Sequence, residues 1–372
     1  MHKLRRMAHY VYQQKDWPHF YWDNEVLVLK LSEVRNKQGR LLGKMEALGL
    51  DLQNEALLKT LSSDVLYSSQ IEGENFNSEE VRSSVARKLG MEFAGMVDSN
   101  RFVDGVSEVT VDATKNAHLP LTKERLCAWH AALFPTGKSG MFSITVSDYR
   151  KDDKGSMQVV SGAMGFERVH FEAPKADKLE AEMHQFLTWF NSDVPLDGLL
   201  KAALAHFWFV TVHPFDDGNG RLARAVADMQ LAKSEHVNQR FYSMSSQLLK
   251  ERKAYYQQLE LSQKGDLDLT SWLAWFLDCL HTTLNSSEES LSKVLLKARF
   301  WEKHKQTVFN KRQVDMLNKL LNDFKGNLTT SKWAKMQKCS QDTALRDVQD
   351  LLSKYVLSKD DAGGRSTNYV LK

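Results

Sequence analysis

The sequence predicts a mostly helical protein with one β-hairpin and a separate C-terminal domain of three helices and a second hairpin. Apolar residues recur with helical spacing over most of the first 300 residues, and one glycine-rich stretch near residue 160 alternates as paired strands do. The net charge changes sign near residue 300. With 42% hydrophobic and 26% charged residues among 372, the composition excludes a collagenous, low-complexity or largely disordered chain.

The elements of the first 300 residues follow from these patterns. Residues 1–25 are aromatic and irregular, which favours a folded cap on a neighbouring surface over a ligand-binding cluster. Apolar stripes predict helices over about 24–48 and about 54–69, and the second reaches Gly73, a residue type that can end a helix. Further helices are predicted over about 78–90, 93–117, 122–134, 177–192, 197–212, 220–234, 245–262 and 269–285. Valines among glycines over 156–171 predict the hairpin.

The tail differs in charge and pattern. Residues 301–372 carry a net charge of +6, whereas the rest of the chain carries −3. Helical patterns over 311–324, 331–338 and 340–355 precede two short strands, an order typical of a winged helix-turn-helix with 340–355 as the candidate recognition helix. We therefore expect an N-terminal helical region (1–90), a central domain (91–300) and a winged helix-turn-helix domain (301–372).

The charges of this tail leave its partner open. Basic side chains could contact DNA phosphates, and acidic side chains on the third helix dilute that face. The basic residues are Lys332, Lys335, Lys338, Arg346, Lys354 and Arg365, and the acidic ones are Asp342, Asp347 and Asp350. Both DNA and protein therefore remain candidate partners of this domain.

Cysteine spacing and hydropathy indicate the compartment. Cys127, Cys279 and Cys339 lie far apart without metal-ligand spacing, which argues against a disulfide framework or a zinc cluster and favours a reducing compartment. The basic N-terminus lacks the apolar stretch of a signal peptide, and no segment is long and apolar enough to span a bilayer. We expect a cytoplasmic protein without membrane contact.

The sharpest chemical signal is HPFDDGNGRLAR at residues 213–224. The apolar helix before it ends at Pro214, because the residue before a proline avoids helical geometry, and this leaves His213 facing a loop. A glycine-rich loop that leads into a helix N-terminus presents free amides to an anion. Arg221 and Arg224 share one face of the new helix and suit a polyphosphate, and Asp217 could bind Mg²⁺ beside phosphate oxygens. These parts indicate nucleotidyl or phosphoryl transfer with His213 as base.

HPFDDGNGRLAR resembles the Fic-family signature HPFx[D/E]GNGRxxR at every fixed position, and the resemblance covers roughly residues 60–290. It implies a Fic-type helical bundle with a β-hairpin flap and transfer of AMP from ATP to a Ser, Thr or Tyr hydroxyl of a protein. By position, His213 is then the general base and Asp217 the Mg²⁺ ligand. The implied nucleotide-binding residues are Gly218, Asn219, Gly220, Arg221, Leu222, Ala223, Arg224 and Tyr256.

Two further segments resemble parts of Fic proteins. The hairpin residues Met157, Gln158, Val159, Val160, Ser161, Gly162 and Ala163 resemble the flap that aligns a target segment by strand addition. The run SSQIEG fits the inhibitory pattern [S/T]xxxE[G/N] through Ser68, Glu72 and Gly73. A carboxylate at Glu72 could form a bidentate pair with Arg224 and so displace the γ-phosphate.

The reaction and the oligomeric state stay open. The same residues could remove AMP from a modified protein, and other nucleotide donors are known in the family. Modification of the chain itself is a further expectation, and the resemblance allows a homodimer. A function of a different class is a transcription regulator that binds DNA through residues 301–372 and uses its Fic domain as a sensor.

Overall fold

The structure, a computed structural model, describes residues 10–92, 95–153, 155–162, 166, 168–235, 239–321, 324, 326–360 and 367–372. The chain divides into two compact units, Met1–Ser287 and Glu288–Lys372. Both are mainly helical with small two-stranded sheets, which confirms the expected fold class. No helix among the described residues is long and apolar enough to cross a membrane.

The first unit contains ten whole helices and four short strands within its described residues. The helices are α1 (Asn24–Glu46), α2 (Leu50–Ile71), α3 (Ser78–Leu89), α4 (Arg101–Lys115), α5 (Lys123–Leu133), α6 (Leu179–Asn191), α7 (Gly198–Val212), α8 (Asn219–Ser234), α9 (Met244–Lys250) and α10 (Arg252–Gln263). The strands are β1 (Lys138–Ser139), β2 (Phe142–Ser143), β3 (Gln158–Ser161) and β4 (Arg168–Glu172), paired as antiparallel hairpins β1–β2 and β3–β4. The division between the units falls within α11 (Thr270–Lys303).

Helix α7 is the centre of the first unit, because every residue from Leu199 to Val212 is buried. Its sequence is apolar on all sides, as a helix surrounded by protein requires. Helix α8 packs closely against it, and Gly198 allows the approach, since a side chain there would collide with Ser234. This rigid pair fixes the loop 213–218 that joins the two helices.

The aromatic N-terminus packs on the first unit, as expected for a cap. Trp17 and Phe20 lie edge-on to Trp208 of α7 with ring centroids 6.1 and 5.7 Å apart. Tyr10 and Tyr12 contact Phe171 of β4 in the same manner. Large aromatic surfaces supply much of the burial in such contacts, so the N-terminal segment supports both the central helix and the β3–β4 hairpin.

The second unit has helices α12 (Lys311–Leu321), α13 (Thr330–Gln337) and α14 (Gln341–Ser353), followed by β5 (Leu357–Lys359) and β6 (Tyr369–Leu371). β5 and β6 pair antiparallel, and Leu328 adds an isolated bridge to Tyr369. The three helices and the hairpin enclose one core built around Trp333, Met316 and Val348. The loop residue Arg365 lies outside the described residues.

Three element predictions were wrong in detail, and one element was missed. The helix expected over 93–117 starts at Arg101, because the Asn100 side chain accepts hydrogen bonds from two amides of the first turn. The helix expected over 245–262 is broken at Glu251, whose carboxylate accepts a hydrogen bond from Gln247. The helix expected to end near 285 continues to Lys303. The small β1–β2 hairpin was missed, since two-residue strands leave no alternating pattern.

Candidate active site

His213 stands at the C-terminal end of α7 in a left-handed conformation with φ of 53°. Its amide still donates to the Phe209 carbonyl at 3.0 Å, and Pro214 prevents the helix from continuing. The Nδ1 atom lies 3.1 Å from the Val210 carbonyl. Because a carbonyl only accepts hydrogen bonds, Nδ1 carries the proton of the neutral ring and Nε2 is left as a base.

Burial lowers the pKa of His213 to about 4. The ring is therefore neutral at physiological pH and can take a proton. The left-handed backbone, the neighbouring carbonyl and the buried helix together hold it in one orientation.

Arg150 braces the His213 loop, a role that nothing in the sequence pattern indicates. Its buried side chain donates from Nε to the His213 carbonyl at 2.8 Å and from Nη1 to Asp152 at 2.7 Å, and it also donates to the Pro174 carbonyl. Its own amide donates to the Pro214 carbonyl at 2.9 Å. One arginine thus joins the loop to the end of strand β4.

The loop 215–220 is organised to open a helix N-terminus. The Asn219 side chain bonds both the amide and the carbonyl of Phe215, at 3.0 and 2.8 Å. Gly218 takes φ of 79° at the N-cap, where a side chain would collide with the Phe134 ring. The Leu222 amide makes the first intrahelical bond, to the Gly218 carbonyl. The preceding amides therefore lack an intrahelical partner and can receive an anion.

Two of the predicted nucleotide-binding residues do not point into this loop. Leu222 and Ala223 are fully buried, so their side chains belong to the core and their contribution is limited to the helix backbone. The Asn219 side chain is likewise occupied by Phe215. The sequence assigns every residue of the motif to the nucleotide. In the fold, some of these residues line the site and others belong to the hydrophobic core.

Asp217 accepts hydrogen bonds from the Gly218 amide at 2.6 Å and from the Ser139 hydroxyl at 2.5 Å. His130, stacked on Phe215 at 4.3 Å, donates from Nε2 to the Asp217 carbonyl and so supports the loop. Among the described residues no three His, Cys, Asp or Glu side chains converge in a way that could hold a metal ion. A single carboxylate still fits Mg²⁺ that arrives with phosphates, since this ion keeps most of its ligands as water and phosphate oxygens.

Arg224 is held by helix α2, as the sequence anticipates. Its Nη2 donates to Glu72 Oε1 at 2.7 Å and to the Ser68 carbonyl at 3.0 Å, and its Nε donates to the Ser68 hydroxyl at 2.9 Å. Burial alone would lower the pKa of Arg224, but the Glu72 carboxylate, with smaller contributions from Tyr255 and Tyr256, raises it. The buried Nη1 has no hydrogen-bond partner among the residues that the structure describes. The contact is therefore through one carboxylate oxygen and not bidentate.

The Glu72 carboxylate also covers the N-terminus of α8. A side chain at Gly220 would come within 2.5 Å of Glu72 Oε1, so the carboxylate rests directly on the glycine backbone. This is the place where free amides and the helix dipole favour a negative charge. Glu72 thus takes the position of an anion at this helix end.

A second carboxylate, which the sequence pattern did not single out, holds the other arginine. Gly73 has φ of 89° and ends α2, so that the chain turns back and Glu74 Oε2 reaches Arg221 Nη1 at 2.9 Å. The Arg221 guanidinium also lies over the Phe134 ring, 5.1 Å from its centroid. Both arginines of the motif are therefore paired with glutamates from the end of α2.

Tyr256 lies near this cluster. Burial and the Glu72 charge raise the pKa of Tyr256, and the Arg224 charge acts in the opposite direction. Its ring packs against Tyr255 with centroids 5.1 Å apart and remains about 39% exposed. The sequence-predicted residue is therefore partly exposed, and the Arg252 guanidinium lies over its ring, 5.6 Å from the centroid.

The hairpin β3–β4 contains the segment that resembles the flap of Fic proteins. Gln158, Val159, Val160 and Ser161 pair with β4, and Met157 accepts from the Ala173 amide. In the described part of the chain β3 pairs only with β4, which leaves its other edge open for a further strand. Gly162 has φ of 115°, and Ala163 lies outside the described residues.

A buried charge cluster fastens α2 to α8. Asp64, Ser68 and Glu72 follow one another at intervals of four residues and so share one face of α2. Arg240, with no exposed surface, donates to Asp64 at 2.6 Å and to Asp228 of α8 at 2.9 Å. Burial raises the pKa of Asp228 to about 7, and Arg240 opposes that rise.

A comparison with protein families matches the segment that contains this loop and its arginines. A family model described as Fic/DOC family matches residues 120–231, which include the whole motif. The chain contains a Fic/DOC domain over these residues. A second model, described as a domain of unknown function (DUF4172), matches residues 10–91, which contain α1, α2 and Glu72.

Proteins named Fic are among the curated relatives, and solved structures share the fold of this chain. Proteins named protein adenylyltransferase Fic from Drosophila willistoni and Drosophila melanogaster are 32% identical over 114 residues, 30% of this chain. The chain spans only about a fifth of their length, at 21% and 22%. A Fic family protein from Desulfovibrio desulfuricans aligns over 95% of this chain and 97% of its own, with a TM-score of 0.54 and 18% identity. Fic-1 from C. elegans (residues 134–508) aligns over 73% and 75%, with a TM-score of 0.53 and 17% identity.

Proposed function

We propose that this Fic protein is a protein adenylyltransferase that moves AMP from ATP to a Ser, Thr or Tyr hydroxyl of a target protein. One observation carries the proposal: the amides at the start of α8, Arg224 and Arg221 form a polyphosphate site next to His213. The names of the Drosophila relatives support the same reaction. The target protein is identified here only by its hydroxyl side chain.

In the proposed reaction the target hydroxyl oxygen attacks the α-phosphorus of ATP, and the bond to the bridging oxygen breaks. Pyrophosphate leaves, and the hydroxyl proton passes to His213 Nε2. The amides of Asn219 and Gly220 receive the α-phosphate, together with the Gly218 amide once it leaves Asp217, while Arg221 and Arg224 bind the outer phosphates. Asp217 would hold Mg²⁺, which neutralises phosphate charge when it is bound.

We further propose that the described conformation is self-inhibited. Glu72 occupies Arg224 and the N-terminus of α8, which are the groups proposed to bind an outer phosphate and the α-phosphate of ATP. Glu74 occupies Arg221 in the same way. ATP bound against these carboxylates would not present its α-phosphorus in line with a hydroxyl. Transfer would then be slow, because it requires the reacting atoms to be held in that alignment.

The test of the proposal is the variant Glu72→Gly. With α-labelled ATP and Mg²⁺, we expect protein-bound label to rise at least about tenfold over the wild type, because Arg224 becomes free for phosphate; a tenfold change corresponds to about 1.4 kcal/mol. Glu72→Gln keeps the shape and removes the charge, and it should fall between the two. Binding of ATP by Glu72→Gly without any transfer would contradict the forward reaction and favour AMP removal or another donor.

A second candidate function, DNA binding by residues 301–372 as a winged helix-turn-helix, is favoured by the placement of the acidic residues on α14. Asp347 is buried and bonded to Arg312 and Asn310, and Asp350 is bonded to Lys354. Two of the three acids that would repel phosphate are therefore occupied within the domain. Arg346 and the glutamines Gln341 and Gln349 remain exposed on α14.

This second function has a direct measurement. We expect fluorescence anisotropy of a labelled duplex to show binding at low salt that weakens steeply as salt rises, because each neutralised phosphate releases a counterion. Arg346→Ala should weaken binding, whereas Lys305→Ala, a control outside the three helices, should not. Absence of binding at low salt would exclude DNA and leave a protein partner for this domain.

A further inference from the structure

A serine, a histidine and a glutamate on the β3–β4 hairpin and α10 form a relay that the proposed function does not use. The Ser161 hydroxyl lies 2.6 Å from His170 Nε2, and His170 Nδ1 lies 2.7 Å from Glu260 Oε2. A carboxylate only accepts hydrogen bonds, so Nδ1 donates to Glu260 and Nε2 accepts from the serine hydroxyl. This is the order of contacts that activates a serine as a nucleophile.

The strand geometry aims His170 at the serine. Val159 pairs with Phe171 and Val160 pairs with Val169, so His170 is an extra residue in a β-bulge between them. A bulge re-aims the side chain of the strand that carries it and is frequent beside active sites. The histidine is thereby turned toward Ser161 at the end of the neighbouring strand.

The glutamate is fixed and ionised. Glu260 accepts hydrogen bonds from Arg168 at 3.0 Å and from Lys264 at 2.7 Å in addition to His170. Partial burial would raise the pKa of Glu260, but these donors lower it to about 2. A permanent negative charge on Nδ1–H stabilises the imidazolium that forms when the histidine takes a proton.

The hairpin connects the relay to the nucleotide site at both ends. At its base, Arg150 joins the Pro174 carbonyl after β4 to the His213 carbonyl. At its tip, Glu260 stands four residues after Tyr256 on α10, a rise of about 6 Å on the same helix face. Tyr256 is itself one of the residues proposed to bind the nucleotide, so Glu260 of the relay lies about one helical turn from that site.

We propose that Ser161 is an activated nucleophile and the hydroxyl on which this chain accepts AMP itself. This inference rests on the proposed nucleotidyl transfer. Ser161 Oγ attacks the α-phosphorus of ATP, the bond to the bridging oxygen breaks, pyrophosphate leaves, and the serine proton moves to His170 Nε2. The product is a phosphodiester between Ser161 and AMP at the edge of the hairpin.

Peptide mapping tests the acceptor. In the Glu72→Gly background with α-labelled ATP, digestion with trypsin places Ser161 on the peptide 155–168, whose only other hydroxyl is Ser156. We expect AMP on Ser161, its loss in Ser161→Ala, and a decrease of at least about tenfold in His170→Ala, as for removal of a general base. Ser156→Ala is the matched control and should retain the label. Label confined to other residues would overturn this inference and leave the proposed transferase standing.

A reaction without ATP tests the activation separately. An alkyl fluorophosphonate should modify Ser161 of the otherwise unchanged chain, with loss of fluoride, and should do so far more slowly in His170→Ala and Glu260→Gln. Glu172→Ala removes the hydrogen bond from Gln158 across the same hairpin and should leave the reaction intact, which separates activation from support of the hairpin. If the fluorophosphonate leaves Ser161 unmodified, the inference is wrong even where Glu72→Gly transfers AMP to other residues. If Glu72→Gly transfers no AMP at all, the proposed function is wrong. The fluorophosphonate still shows whether Ser161 is an activated nucleophile.

Discussion

His213→Ala, in the Glu72→Gly background, is expected to lower the rate of AMP transfer to a target protein by about 10²–10⁴-fold, the range that a general base contributes. The neutral ring has its proton on Nδ1, which faces the Val210 carbonyl, so only Nε2 can accept the proton of the target hydroxyl. Alanine leaves the loop, the arginines and the amides in place. ATP binding should therefore change little while transfer is lost.

The pH dependence follows from the lowered pKa of His213. Since burial places it at about 4, the base is deprotonated at neutral pH. Transfer that depends on His213 should be constant from about pH 6 to 8 and fall as the pH drops toward 4, because the protonated ring cannot accept the proton. An ordinary exposed histidine would instead lose half its activity near pH 6.5.

The measurement is the initial rate of label transfer against pH, with ATP affinity determined at each pH by a binding assay. His213→Asn tests whether a polar side chain of similar reach can replace the base, and it should be as inactive as alanine. His184→Ala, on the exposed face of α6, is the matched control. A profile with a midpoint near 6.5, or full activity in His213→Ala, would contradict the assignment of the base.

Much of this site could be predicted from the sequence because its parts are local. His213, the loop glycines and the arginines lie within twelve residues, and the apolar helix before them and the turn residues between them set their positions. The pairing of Glu72 with Arg224 was also predicted, although the two residues lie 152 positions apart, since the SSQIEG pattern pointed to it. The structure changes this pairing only in detail, from two carboxylate oxygens to one.

The residues that were missed act across long sequence distances or through irregular backbone. Arg150 reaches His213 from 63 positions away, and Glu74 reaches Arg221 from 147 away. Neither residue has a local pattern. The sequence does not distinguish a buried arginine from an exposed one, or a glutamate that pairs with an arginine from one that faces solvent. His170 is aimed at Ser161 by a bulge, which no alternation of residue types indicates. Leu222 and Ala223, assigned to the nucleotide by motif alone, are core residues once α7 is packed against α8.

Arg240→Met is expected to lower the free energy of unfolding by about 3–5 kcal/mol, the cost of breaking a buried ion pair by removing one partner. Arg240 has no exposed surface and neutralises both Asp64 and Asp228, and the Ser243 hydroxyl adds a bond of 2.5 Å to Asp64. Methionine fills part of the volume but leaves two buried carboxylates without a cation. Urea unfolding followed by circular dichroism measures the loss.

The pH dependence of this loss has a defined sign. Burial raises the pKa of Asp228 to about 7, above its value of about 3.9 in an unfolded chain, so the folded state binds the proton more tightly. The contribution of Asp228 to the free energy of unfolding is fully present below about pH 4 and is lost as the pH rises through 7. Without Arg240 the pKa of both acids rises further. The variant should therefore be closest to wild type near pH 5 and most destabilised near pH 8.

The cluster can be tested against a rescue and a surface control. Arg240→Met with Asp64→Asn and Asp228→Asn removes every charge, and it should recover much of the lost stability, since a buried ion pair as a whole contributes little. Arg82→Met removes a surface pair with Glu55 and should change the unfolding free energy by less than about 1 kcal/mol. Failure of the charge-free variant to recover would mean that Arg240 acts through packing. Asp64 lies two turns before Glu72 on α2, and Asp228 lies one turn after Arg224 on α8. Loss of the cluster should therefore also weaken the contact of Glu72 with Arg224. We expect basal AMP transfer by the folded fraction of Arg240→Met to rise.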